Sequence, residues 1–144
     1  MSVEKDLWNH IGNMERRIRF LEANAEGGGG ITFVPLTTLA TSTDWDGDAK
    51  DGADGIIDLS AAFGLPAGIK AVAAIISAYS ATTNHGFALG PSSTQKYAIQ
   101  ARTQVSNVLS DVAGIVPCDA NGDIYFSQQA ALGGVWITIT GYWL

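Results

Sequence analysis

Val135-Trp136-Ile137-Thr138-Ile139-Thr140 sets large β-branched residues at every second position, and Gly141-Tyr142-Trp143-Leu144 follows directly. A period of two puts one set of side chains on each face of an extended strand, so this stretch predicts a β-strand. With tryptophans at 136 and 143 near its ends, a strand this apolar is expected to be enclosed by other structure. Its reading decides the fold, because the segments before it repeat the same pattern.

Upstream, Val112–Cys118 and Ile124–Ser127 are apolar runs separated by Asp119-Ala120-Asn121-Gly122-Asp123. Asn-Gly between two such runs predicts a β-hairpin. In Tyr97–Val105 the odd positions are mostly apolar while Gln100, Arg102 and Gln104 face away, the pattern of a half-buried strand. Phe87–Leu89 is a further short strand. Ile69–Tyr79 is apolar on both faces, which places it at the centre of a sheet or in a trimer contact, although its alanines also fit a helix. Gly55–Leu59 reads as a short strand before the turn Gly64-Leu65-Pro66-Ala67-Gly68. Ile31–Leu36 is a β-rich run ended around Pro35. About eight strands with turn signals between them predict a mainly β fold, a β-sandwich of the jelly-roll kind over residues 31–144.

The first 26 residues differ. Leu7, Met14 and Leu21 alternate with Ile11 and Ile18 at spacings of four and three, which is a heptad seam continued by Ala25. The segment predicts a short α-helical coiled coil, about 33 Å long at 1.5 Å per residue. A helix of this length is marginal alone and needs partners along its seam. Arg17 falls at g and Glu22 at e, and Arg17-Ile18-Arg19-Phe20-Leu21-Glu22 resembles the motif of short trimeric coiled coils. There the arginine stem covers the core and its head pairs with the glutamate of the next helix. Trp8, also at e, widens the apolar face beyond a two-stranded seam. The expected trimer interface is therefore Leu7, Ile11, Met14, Arg17, Ile18, Leu21 and Glu22. Gly27-Gly28-Gly29-Gly30 cannot continue a helix and forms a hinge, so the chain divides into a stalk at 1–26, a hinge at 27–30 and a head at 31–144.

Only 15% of the 144 residues are charged against 47% apolar. So weakly charged a surface implies that part of it is covered by copies of the same chain. The head carries nine aspartates and four bases, a net −5, which repels phosphate backbones and anionic lipid. No nucleic-acid partner and no membrane insertion are expected. The longest apolar run, Ala71–Ile76, is too short to span a bilayer, and the mixed-charge start does not resemble a signal peptide. The single cysteine, Cys118, reads as a small buried hydrophobe.

The acidic stretch Asp44–Gly55 offers hard oxygen ligands, with Asp44, Asp46 and Asp48 as calcium candidates. It fails as an EF-hand loop, since Ala49 stands where glycine is needed and Gly55 where a bidentate glutamate belongs. Asp119, Asn121 and Asp123 echo it more faintly, and such residues also build ordinary turns. No cofactor is assigned. His10 and His85 lie in different modules and carry no sequence context for a triad, so no catalytic residue is named and an enzyme is not expected. Trp45, or Tyr79 and Tyr97 flanking the loop Thr82–Gln95, are candidates to stack on a sugar ring.

Val34-Pro35-Leu36-Thr37, Ser42–Asp48, the long segment Ile57–Val72, Val116–Tyr125 and the ending Gly141-Tyr142-Trp143-Leu144 carry a resemblance. They are similar to small tailed-phage structural proteins of the fibre or tail-fibre-like kind. The resemblance covers most of residues 31–144 and implies a virion component made in a host cytoplasm. It also implies trimeric assembly but no receptor; the expected partners are other virion proteins and a host-surface glycan or protein. The expected function is a trimeric virion fibre or spike that projects a β head. A capsid decoration or cement protein and a calcium-dependent carbohydrate-binding module are the alternatives.

Overall fold

A computed structural model describes residues 30–42, 45 and 53–144. The seven seam residues from Leu7 to Glu22, His10, and the calcium candidates Asp44, Asp46 and Asp48 lie outside the described residues.

Within them the chain forms β1 (Phe33–Thr41), β2 (Asp54–Ile57), α1 (Leu59–Phe63), β3 (Ala71–Tyr79) and β4 (Gly86–Gly90). It continues as β5 (Ile99–Arg102), β6 (Ser110–Pro117), β7 (Ile124–Gln128) and β8 (Gly134–Trp143). The fold is mainly β, with two four-stranded antiparallel sheets ordered β1-β8-β3-β6 and β2-β7-β4-β5. The pairing has a simple rule. The first strand pairs with the last, β2 with β7, β3 with β6 and β4 with β5, as in one long hairpin. Two further pairings, β3 with β8 and β4 with β7, roll that hairpin into the two sheets.

Both sheets contribute to one apolar cluster. From the first come Val72, Ile76, Val116, Ile137 and Ile139, and from the second Ile57, Phe87, Leu89, Ile124 and Phe126. Strand β3 shows why: its burial alternates strictly, with Val72, Ala74, Ile76 and Ala78 inward. The predicted alternation of β8 holds in the same way, with Val135, Ile137 and Ile139 buried. Each fully buried Ile, Leu or Phe contributes roughly 1.5–3 kcal/mol against exposure.

Four expectations are corrected. First, β1 does not end at Pro35 but runs to Thr41. Among the described residues it is an edge strand paired only with β8, and an edge tolerates a residue without an N–H. The register breaks between Pro35 and Ala40, where the strand bulges. Second, Leu59 opens a helix rather than closing a strand. The Asp58 carboxylate accepts from the amides of Ser60 and Ala61 at 3.0 and 2.9 Å, which caps the helix, and Gly64 ends it at φ 67°. Third, Asn121-Gly122 does not join a hairpin. It carries the chain from β6 in the first sheet to β7 in the second. Fourth, the described residues of one chain enclose β8 only on its inner face and through its neighbours β1 and β3; Trp136 points outward and is 49% exposed.

Candidate functional site

The connection between β4 and β5 is a strap laid over the outer face of the second sheet. Its turn forms because the Gln95 amide donates to the Ser92 carbonyl at 3.1 Å and lies 3.2 Å from the Ser92 hydroxyl. The Ala98 amide returns the chain to the sheet by donating to the Leu89 carbonyl at 2.8 Å. Gly90 makes the crossing possible. A Cβ there would meet the Lys96 Cα at 2.7 Å and strike the Gln95 carbonyl, so any side chain would lift the strap. The covered residues Ala88 and Ser127 are accordingly buried although they face away from the core.

One ion pair fixes the strap across the sheet. Lys96 Nζ lies 2.7 Å from the Asp54 carboxylate on β2. The Lys96 hydrogen bond, helped by the Ser127 hydroxyl, holds the Asp54 carboxyl below its ordinary pKa, and Asp54 in turn raises that of Lys96. The same ammonium stands 5.9 Å from the Tyr97 ring centroid. Tyr97 itself projects into solvent, 56% exposed.

Two shallow clefts flank the strap. One, of about 330 Å³, is walled by Thr94, Gln95, Lys96, Tyr97 and Pro117. The other, of about 220 Å³, lies between Ile56, Ser92, Ser93, Asp119 and Tyr125. An exposed aromatic beside a fixed charge, hydroxyls and an amide is what a sugar ring or a short polar peptide needs: a stacking surface and directional donors.

The other predicted site residues disperse. Tyr79 lies on the first sheet, stacked on Trp136 with centroids 6.0 Å apart, so it shares no site with Tyr97. Trp45 packs on Phe87 and Phe126 at 5.5 and 5.6 Å and serves the core rather than a ligand. In the turn after β6, Asp119 Oδ1 accepts from the amides of Asn121 and Asp123 at 2.8 and 2.9 Å. Asp123 Oδ1 accepts from the Leu59 amide at 3.3 Å, and burial first of all raises its pKa. One carboxylate oxygen of each aspartate is thus engaged by the backbone. Among the described residues no three His, Cys, Asp or Glu side chains converge as a metal site. Cys118 packs against the core, and burial pushes its thiol up to about 12. That suits a packing role and not a nucleophile.

Among the described residues, Ser80 Oγ lies 3.2 Å from His85 Nδ1. The two are not a catalytic pair. Nδ1 also lies 3.0 Å from the Ala131 carbonyl, which can only accept, so Nδ1 carries the proton and has no lone pair to take one from Ser80. Ser80 Oγ meanwhile accepts from the Thr82 amide at 3.1 Å and serves the loop.

Sequence reasoning missed Lys96, Asp54, Ile56 and Tyr125 as neighbours. Gly90-Pro91 followed by Ser92-Ser93-Thr94 signalled a turn. Nothing local signalled that its lysine would reach a residue 42 positions earlier. No family model matches the chain, and no curated protein matches it either.

Proposed function

We propose that the protein is a trimeric structural component of a phage virion, a fibre or spike whose β head meets the host surface. The strand order carries this reading. Sheets ordered β1-β8-β3-β6 and β2-β7-β4-β5 have the pairing of a jelly-roll sandwich, the architecture of many viral capsid and lectin domains. That step is an analogy of fold only, and the Arg17-to-Glu22 motif on the heptad seam supplies an independent reason for three copies, where packing of isoleucine at a and leucine at d alone would favour two. The clefts beside Tyr97 and Tyr125 are the attachment surface, each contact weak and multiplied by copy number.

Light scattering of the full-length chain tests the assembly; three times the 15.1 kDa chain mass is expected, and 15.1 kDa at micromolar concentration would sink it. Gold-labelled antibody against residues 31–144 should decorate projecting structures on intact particles. A capsid decoration protein is the second reading, favoured by the nearly uncharged outer face of the first sheet, where the strands contribute one aspartate. Binding to purified empty capsids, with no effect of the free protein on adsorption of particles to cells, would decide for it.

A further inference from the structure

We propose that the outer face of the first sheet is where the heads of the trimer meet, its occupant being a second copy of this chain; the proposal rests on the trimeric reading above. The face is built in two zones. At its ends stand aromatic pairs, Phe33 on Trp143 with centroids 4.6 Å apart and Tyr79 on Trp136 at 6.0 Å. Between them the small side chains Ala73, Ala113 and Thr140, with Ile75 and Ile115, border a trough of about 330 Å³. Small residues at the centre let another backbone come close, and Ile115 stands out from the trough at 57% exposure.

Charge argues for a copy rather than a foreign partner. The four strands of this sheet hold a single ionisable charge, Asp111, in a head whose net charge is −5. Heads of like charge repel except through a patch from which charge is missing, and this sheet is that patch. The outer face of the second sheet differs, carrying Asp54, Lys96 and Arg102 around its strap.

The covalent chain argues the same way. Phe33, at the end of this face, follows the last hinge glycine by three residues. Four glycines reach at most about 14 Å. Copies joined at the seam therefore hold their faces at millimolar effective concentration. Size then fixes the division of labour. A face of four strands spaced about 4.8 Å, each about 30 Å long, covers roughly 500 Å². A standard interface uses about 800 Å² per partner. The face is too small to assemble free heads and adequate for tethered ones.

The test uses the full-length chain in sedimentation equilibrium over a dilution series. Ile115→Glu and Ala113→Glu, both at exposed positions, are each expected to raise the concentration of half-dissociation at least ten-fold. Val105→Glu, equally exposed at 57% but outside this sheet, should stay within two-fold of wild type. Unchanged dissociation in both face variants would overturn the proposal while leaving the trimer standing. So would a loss of binding to purified capsids with no change in self-association, which would give the face to another virion protein. A wild-type chain that runs as a monomer would instead overturn the trimeric reading, and this inference with it.

Discussion

Gln128 is 1% exposed, and neither its side-chain Nε2 nor its Oε1 finds a partner among the described residues. A buried polar group left unpaired costs about 1–3 kcal/mol. Gln128→Met keeps the length of the side chain and removes that cost, so the variant is expected to be more stable by about 1 kcal/mol in urea titration. A loss of stability would show that the amide is satisfied. Glycines give the opposite case. Gly64 and Gly122 both have positive φ, at 67° and 93°. Around Gly64 a Cβ would meet nothing within 4 Å, whereas at Gly122 it would meet the Gly68 and Ile69 amide nitrogens at 2.6 and 2.8 Å. Gly64→Ala therefore carries backbone strain alone, about 1–2 kcal/mol. Gly122→Ala adds a backbone clash, and the total should exceed that of Gly64→Ala by at least 1 kcal/mol in the same titration.

Helix α1 shows how two carboxylates at one element end respond oppositely to acid. The Ser60 hydroxyl and then the Ala61 amide lower the pKa of Asp58 from 3.8. Its contribution is fully present above the unfolded value of 3.8 and is lost as pH falls through the lower folded value. For Asp123 burial raises the pKa above 3.8, so the charged form burdens the fold at neutral pH, and the burden lifts as pH falls through that raised value. Asp58→Asn should flatten the acid limb of a stability-against-pH curve, and Asp123→Asn should raise its neutral plateau while the amide oxygen still accepts from Leu59. Equal and parallel curves for both variants would refute this assignment. The element was not legible as read. Asp58 four residues before Ala62, with Gly64 beyond, is a cap pattern, but Gly55-Ile56-Ile57 ran straight into it with strand character. Strand β8 was legible because a half-buried sheet imposes a period of two on the sequence, whereas β3 alternates in burial but not in residue type, and its alanines left a helix open. Strap and clefts were not legible, since Gly90, Lys96 and Asp54 belong to different elements and meet only through sheet order.

Across the whole of residues 32–144, the strands earliest and latest in the chain are neighbours. Thr32 and Leu144 exchange backbone hydrogen bonds at 3.3 and 3.0 Å, and Phe33, Val34 and Pro35 pair with Trp143, Tyr142 and Gly141. The same end of β8 also pairs with β3 at Ala71–Ala73 and accepts from the Lys70 amide at 2.7 Å. This explains why turn chemistry misled the reading of Asn121-Gly122: in a rolled hairpin most turns hand the chain from one sheet to the other, and pairing is set by partners far along the sequence. It also makes the last four residues a keystone for two other strands. Their removal strips β1 of three of its five paired positions, uncovers Phe33, and takes Tyr142 from the core cluster. Deleting 141–144 is expected to lower Tm by more than about 10 °C, the equivalent of a few kcal/mol for a domain of this size. Circular dichroism on heating reads this directly. Because among the described residues β1 pairs with β8 alone, the shortened chain should also lose protection first at its β1 amides in hydrogen exchange. A shortened chain that melts within 2–3 °C of the full chain would mean that β1 is held by something other than this pairing, and the rolled-hairpin description of the first sheet would fail.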